Sequence, residues 1–275
     1  MEDMLREKSE EKNKKIIVFA SGKGGVGKTV VSVNTAVVLA QKGYSTCIMD
    51  GDFQFGDVNI ALDLQPKLTI SDLVQDIKSI NSSMLENYLQ SHESGVKVLS
   101  APLRPEYADL ITSQAIEEIT KKLVDQNEFV VVDIGPGLSE HNITFMELAH
   151  KIFLVTDLEM AALKNTKSMI KTLNALNMGD KISVIVNRGN MESVIKFRDA
   201  ARILELRELH YISNDFKVVS KSFNIGIPFV ISKPNERITK EINYIADKIC
   251  NKRYSSRNKR RKKKGFFDFF KKGRG

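Results

Sequence analysis

Apolar residues along this chain fall into six short runs separated by longer amphipathic stretches. The runs at residues 15–20, 46–50, 96–100, 129–133, 152–156 and 181–187 include segments such as Val130-Val131-Val132, apolar on both alternating faces. A strand of that kind must be covered on both sides, which is the situation in a parallel sheet. Between the runs, residues 29–41, 71–77, 113–125, 160–176, 191–204 and 235–251 place apolar side chains at helical spacing. Strand and helix in alternation predict an α/β fold, a doubly wound, mostly parallel sheet with helices on both faces. The periodicity stops near residue 251, where Ser255-Ser256-Arg257-Asn258 begins a polar linker. The expected organisation is a charged leader over 1–13, one α/β domain over 14–251 and a tail over 252–275.

In an open sheet of this topology, ligands bind at the carboxyl ends of the strands. The first such end carries Ser21-Gly22-Lys23-Gly24-Gly25-Val26-Gly27-Lys28-Thr29, which fits G-x-x-x-x-G-K-[ST] between a strand and a helix. Glycines let successive backbone N–H groups curl round a phosphate chain with no Cβ in the way and a helix N-terminus behind them. Lys28 then neutralises the outer phosphates, and the Thr29 hydroxyl is placed to ligate Mg²⁺. Two further strands end in aspartates: Asp50 and Asp52 in Met49-Asp50-Gly51-Asp52, and Asp133 after Val130-Val131-Val132. Taken singly, each reads as well as a turn or cap residue. Beside a phosphate-binding loop they supply the carboxylates that a Mg·ATP site needs, to hold metal-bound water and to position the attacking water.

Charge and cysteine content refine this reading. The chain has 275 residues and a formal net charge of +8. Residues 252–275 hold 12 Lys/Arg against the single acid Asp268, which leaves 30 bases against 33 acids in the rest. The basicity is thus a property of the tail, and the domain is mildly acidic. Cys47 and Cys250 are too far apart in sequence and too few for a disulfide framework or a metal-binding set, which argues against an iron-carrying nucleotidase. His92, His141, His150 and His210 are scattered and form no ligand or triad pattern. The leader is too charged for a signal peptide, and no apolar run approaches the roughly 20 residues of a membrane span, so a cytoplasmic location is expected.

The segments Gly22-Lys23-Gly24-Gly25-Val26-Gly27-Lys28-Thr29, Asp50-Gly51-Asp52, Val132-Asp133-Ile134-Gly135-Pro136 and Val186-Asn187-Arg188 resemble the MinD/ParA family of ATPases with a deviant Walker A loop. The resemblance runs from about residue 15 to 249 and implies a P-loop NTPase fold of the SIMIBI type. It implies ATP and Mg²⁺ as ligands, bound through Gly22, Gly24, Gly25, Val26, Gly27, Lys28, Thr29, Asn187 and Arg188, with Asn187 reading the adenine edge. Thr29, Asp50 and Asp133 are the implied metal-side residues, and Lys23, Lys28 and Asp52 the implied catalytic ones. Lys23, the extra lysine, would reach across an ATP-sandwiched homodimer to the partner's phosphates, and Asp52 would orient the hydrolytic water. Residues 52–58, 64–73 and 92–102 are most similar to the CpaE/TadZ branch associated with pilus assembly, although Val30 and Ser213 stand where that pattern often has threonine and proline.

In the tail, Lys259, Arg260, Arg261, Lys262, Lys263 and Lys264 precede Phe266, Phe267, Phe269 and Phe270. A basic run attracts anionic lipid at about 1 kcal/mol per Lys/Arg, and buried rings add roughly 1.5–3 kcal/mol each. On a helix the four rings share one face, which resembles the amphipathic C-terminal anchor of the MinD branch. Two glycines close together predict disorder in solution and a helix only on lipid. The expectation is a slowly hydrolysing ATPase that dimerises on ATP and sits at the inner face of the cell membrane. There it would position a pilus, flagellar or division apparatus and answer to an activating protein partner. The alternative is a ParA-like partitioning ATPase whose dimer holds nonspecific DNA.

Overall fold

The computed structural model describes residues 14–250; the leader and the tail, with every expectation attached to them, lie outside the described residues. In chain order the elements are β1 (Lys15–Ala20), α1 (Lys28–Gln41), β2 (Thr46–Gly51), α2 (Val58–Ala61), α3 (Ile70–Asp76) and α4 (Ser82–Leu85). There follow β3 (Gln90–Ser91), β4 (Lys97–Leu99), α5 (Ser113–Gln126), β5 (Phe129–Ile134), α6 (Glu140–Leu148), β6 (Lys151–Thr156) and α7 (Met160–Ala175). The last are β7 (Ile182–Val186), α8 (Phe197–Leu204), β8 (His210–Tyr211), α9 (Phe216–Ile225), α10 (Phe229–Ser232) and α11 (Arg237–Ile249).

The strands form one eight-stranded sheet in the order β3-β4-β2-β5-β1-β6-β7-β8. Every neighbouring pair is parallel except β3 with β4, which form an edge hairpin closed through Gly95, whose φ is 87°. Alternation along each strand divides the core in two. Ile16, Val18 and Ala20 of β1 join Val130 and Val132 of β5 and Leu154 of β6 beneath α5, α6 and α7, through Ile119, Phe145 and Leu173. Ile17 and Phe19 point the other way, with Val131, Phe153 and Val155, under Val37 and Leu39 of α1 and Ile242 and Ile245 of α11. This is why the strands read as unbroken apolar runs: both faces are buried, and removing them from water supplies about 25 cal/mol per Å².

The doubly wound sheet expected from the sequence is present, with most strand limits within a residue of those expected. One helix is shorter than its periodicity suggests. Residues 191–204 were expected to be helical throughout, but α8 begins at Phe197. The preceding stretch is tied into turns by Met191 N–H to Arg188 O, Gly189 N–H to Ile212 O and Ser193 Oγ to Leu158 O. The helix then starts where Lys196 N–H finds the Asp199 carboxylate at 3.0 Å. The periodicity reading also left out α6 and α9, although both carry local start signals. Ser139 caps α6 by accepting from Asn142 N–H, and Asp215 caps α9 by accepting from Val218 N–H, with Gly226 closing it at φ 65°.

Candidate functional site

The loop between β1 and α1 lies at the carboxyl edge of the sheet, where the strand order reverses beside β1. Gly25 and Gly27 both adopt left-handed backbone, with φ of 77° and 86°, and Gly27 is the cap from which α1 starts. No other residue type takes that conformation without strain, and the result is a concave run of N–H groups against a helix N-terminus. Gly22 is needed for a different reason. A Cβ there would lie 2.9 Å from Asn165 of α7, whose amide donates to Gly22 O at 2.9 Å.

Asp133, the penultimate residue of β5, organises the floor. Its Oδ2 lies 2.9 Å from Lys28 Nζ and accepts from Thr29 Oγ1 at 2.7 Å, while its Oδ1 accepts from Ser32 Oγ at 2.9 Å. Asp133 and Lys28 are 1% and 8% exposed, so the pair is stabilised by the two hydroxyls that complete its hydrogen bonding. Ser32 is a participant that motif reading overlooked. It follows Thr29 by three residues on α1, which brings both hydroxyls to one side of the helix.

Asp52 and Asp57 stand on the opposite wall. They share a cavity of about 250 Å³ with Gly24, Gly25, Val26, Lys28, Thr29 and Pro136. Asp52 accepts from Phe55 N–H at 3.2 Å, and Gly135 leaves room for its carboxylate. Partial desolvation, then the nearby Asp52 and Asp133 carboxylates, raise the Asp57 pKa. Asp50 sits behind this wall rather than on it. It is fully buried, its two oxygens accept from Asp52 N–H at 3.2 Å and Val58 N–H at 3.1 Å, and Gly56 packs directly against it. Burial, followed by repulsion from Asp133, pushes its pKa up to about 8. Asp50 thus ties the loop carrying Asp52 to the end of β2.

Asn187 joins the loop to a second cavity. Its Nδ2 donates to Val26 O at 2.9 Å, its Oδ1 accepts from Arg188 N–H at 2.9 Å, and its side chain abuts the Cα of Gly27. Arg188 holds a φ of 53°. Beyond Asn187 lies a cavity of about 210 Å³ bounded by Arg188, Ile212, Asn214, Phe216, Val219 and Phe223. Its walls are largely apolar with polar groups at the rim, which suits a heterocyclic base. Ser213, which stands where the resembling pattern often has a proline, uses its N–H as well as its hydroxyl on Glu241 Oε2, at 2.6 and 2.7 Å.

Lys23 is turned away from these cavities. It ion-pairs with Glu159, the residue before α7, and that hydrogen bond raises the lysine pKa while lowering that of Glu159. The nucleotide residues expected from the sequence are therefore assembled in one place, except that Lys23 points outward and Asp50 acts from behind.

This arrangement fits a nucleoside triphosphate and a divalent cation. The glycine cradle and Lys28 match a phosphate chain, the Thr29 hydroxyl opens toward it, and carboxylates at Asp52, Asp57 and Asp133 outnumber the single buried cation. The ParA family model, described as NUBPL iron-transfer P-loop NTPase, matches residues 12–250. Iron transfer belongs to that description; here Cys47 is fully buried in β2, with its thiol pushed up to about 12 by burial. An uncharacterized ATP-binding protein of Methanocaldococcus jannaschii is 28% identical over 259 residues, covering 94% of this chain and 95% of that protein. The septum site-determining protein MinD of Synechocystis is 27% identical over 226 residues, covering 80% of this chain and 83% of that protein. The solved cell division ATPase MinD of Pyrococcus furiosus superposes with a TM-score of 0.75 at 26% identity, over 86% of this chain and 98% of that one. With its glycine cradle, its Lys28–Asp133 floor and this extent of likeness, the chain belongs to the ParA/MinD family of P-loop NTPases.

Proposed function

We propose that this chain is an ATP-driven spatial switch, one that binds and slowly hydrolyses ATP and alternates between monomer and homodimer. P-loop NTPases of this family are ATPases, and the observation that carries the reading here is the Lys28–Thr29–Ser32 cluster on Asp133 beneath a left-handed glycine loop. The triphosphate lies in the cradle with Lys28 leaving Asp133 for its outer oxygens, and the base enters the cavity beyond Asn187 and Arg188. Thr29, with Asp133 and Asp50 behind it, would hold Mg²⁺, which would offset phosphate charge. Asp52 orients water toward the terminal phosphorus; the bond to the leaving ADP oxygen breaks as the water oxygen bonds, giving ADP and phosphate.

Lys23 gives the switch its second state. Glu159 engages it in the single chain, and in a dimer closed over two ATP molecules it crosses to the partner's phosphates, as the deviant Walker A reading expects. Closing a dimer doubles the number of tails, so anchors that are weak singly become firm together. The tail's basic run and its four phenylalanines, Phe266, Phe267, Phe269 and Phe270, favour an anionic membrane surface, the inner face of the cell membrane. Septum placement, named for the MinD relative, supports spatial regulation, and the object we propose is a division, flagellar or pilus apparatus, the last of the CpaE/TadZ kind.

Co-sedimentation with anionic liposomes, using full-length and tail-deleted protein with ATP or ADP, tests this. ATP-dependent lipid binding that disappears with the tail is expected. Salt-sensitive DNA retention that survives tail deletion would instead establish the partitioning alternative.

A further inference from the structure

A further cavity is at the other end of the sheet from the nucleotide loop. It measures about 660 Å³ and is reached at the amino ends of β1, β6 and β7. Its floor on the face that carries α1 and α11 is apolar, with Ile17 and Phe153. Two rings border it, Phe153 and His210, 6.0 Å apart between centroids, and outside the cavity Tyr244 packs on His210 at 6.2 Å. Lys248 stands over Tyr244 at 5.3 Å and pairs with Glu208 at 3.7 Å on the exposed rim.

The charges around this floor do not balance. Lys15, Lys151 and Lys248 line the cavity, and Glu208 is the one carboxylate among its lining residues. Lys15 Nζ is occupied by Ile249 O at 3.0 Å, and Lys248 by Glu208. Lys151 is half-buried, and among the described residues no hydrogen bond or ion pair holds its ammonium. Burial lowers its pKa, with the more distant Glu208 and Asp180 opposing that effect. His150 accepts from Ile16 N–H at Nδ1, which leaves Nε2–H as the donor of the neutral ring. An unpaired cation over an apolar, ring-lined floor is costly when empty and is relieved by an anion with a hydrocarbon or aromatic body.

We propose that this cavity is a second ligand site, separate from the nucleotide loop, that takes a small amphipathic organic anion with its charged head on Lys151 and its apolar body along Ile17, Phe153 and His210. The volume is that of a cavity for a compact ligand. Head and body are both required: a charge-assisted hydrogen bond at a desolvated lysine and the burial of several methylenes each contribute about tenfold or more to affinity.

Calorimetric titration of the full-length protein with sodium octanoate tests the site, with acetate and octanol as probes that lack the body or the charge. The expected result is saturable octanoate binding, with acetate and octanol at least tenfold weaker. Lys151→Met should weaken octanoate by about tenfold, while Lys67→Met, a distant surface change, leaves it unchanged. Ser183→Leu, which fills the floor from β7, should remove binding while the nucleotide site still takes ATP. Octanoate that fails to saturate, or that binds Lys151→Met as tightly as the natural chain, would overturn the proposal. So would an equal loss in Lys67→Met, since that would mean general charge screening.

Discussion

Lys28 Nζ and Asp133 Oδ2 are 2.9 Å apart at the floor of the phosphate cradle, both nearly out of contact with water. The lysine proposed to receive a phosphate is thus held by a carboxylate beforehand, and Thr29 and Ser32 satisfy what remains of that carboxylate. Removing one partner of a buried pair costs about 3–5 kcal/mol, because the other charge is left uncompensated. Lys28→Ala should therefore both lose ATP binding and unfold at lower denaturant. Lys28→Met, which keeps the packing, should still lose ATP binding. Equilibrium denaturation combined with fluorescent-nucleotide titration separates the two effects, and unchanged nucleotide affinity in either variant would contradict the assignment.

The two left-handed glycines should differ in their response to a methyl group. At Gly25 nothing lies within 4 Å of an added Cβ, so Gly25→Ala costs only the conformational strain of about 1–2 kcal/mol. At Gly27 the same strain is joined by a clash with the Asn187 amide, which is itself bonded to Val26 O. Gly27→Ala should lower the melting temperature further than Gly25→Ala and weaken nucleotide binding more, measured by thermal melts with and without ATP.

Asp50 predicts how stability varies with pH. Its folded-state pKa is raised from an ordinary 3.8 to about 8 by burial and by Asp133. A raised carboxyl binds its proton more tightly in the folded chain than in the unfolded one. Its contribution is therefore complete below pH 4 and is lost progressively as pH rises from about 4 to about 8. Asp50→Asn abolishes this titration while giving up one of two backbone hydrogen bonds. Denaturant midpoints at pH 5.5 and 8.5 should fall less steeply in Asp50→Asn than in the natural chain; parallel slopes would mean that Asp50 titrates normally.

The side chains of Lys23 and Glu159 pair on the surface, where an exposed ion pair adds little to folding. Lys23→Ala should melt at the natural temperature and bind ATP as a monomer, yet fail to form the ATP-dependent dimer. Sedimentation velocity with and without ATP reads this directly. A Lys23→Ala protein that still dimerises on ATP would remove Lys23 from the switch.

Ser32→Ala examines the least visible member of the floor. Losing one hydroxyl from the buried Asp133 should cost about 1–3 kcal/mol of stability. Lys28 and Thr29 remain in place, so nucleotide binding should weaken far less than in Lys28→Ala. Loss of binding as severe as that of Lys28→Ala would give Ser32 a direct role.

What the sequence determined by itself is local and periodic. Strands buried on both faces have to be apolar at consecutive positions, so β1, β5 and β6 were legible from Val, Ile, Leu and Phe, and β2 from Cys47, Ile48 and Met49. The loop was legible because only glycine takes a left-handed φ cheaply, and the motif fixes where Gly27, Lys28 and Thr29 fall. Strand order, the reversed β3 edge and the partners of each polar side chain depend on contacts between residues far apart in the chain, which no local pattern encodes. Tertiary structure therefore decided that Ser32 completes the coordination of Asp133 and that Asn187 locks Val26. It also decided that Asp50 acts from behind the wall, that Lys23 turns to Glu159, and that α9 closes the cavity beyond Asn187. The residue types could be read in order, but their pairings exist only once the sheet brings their strand ends together.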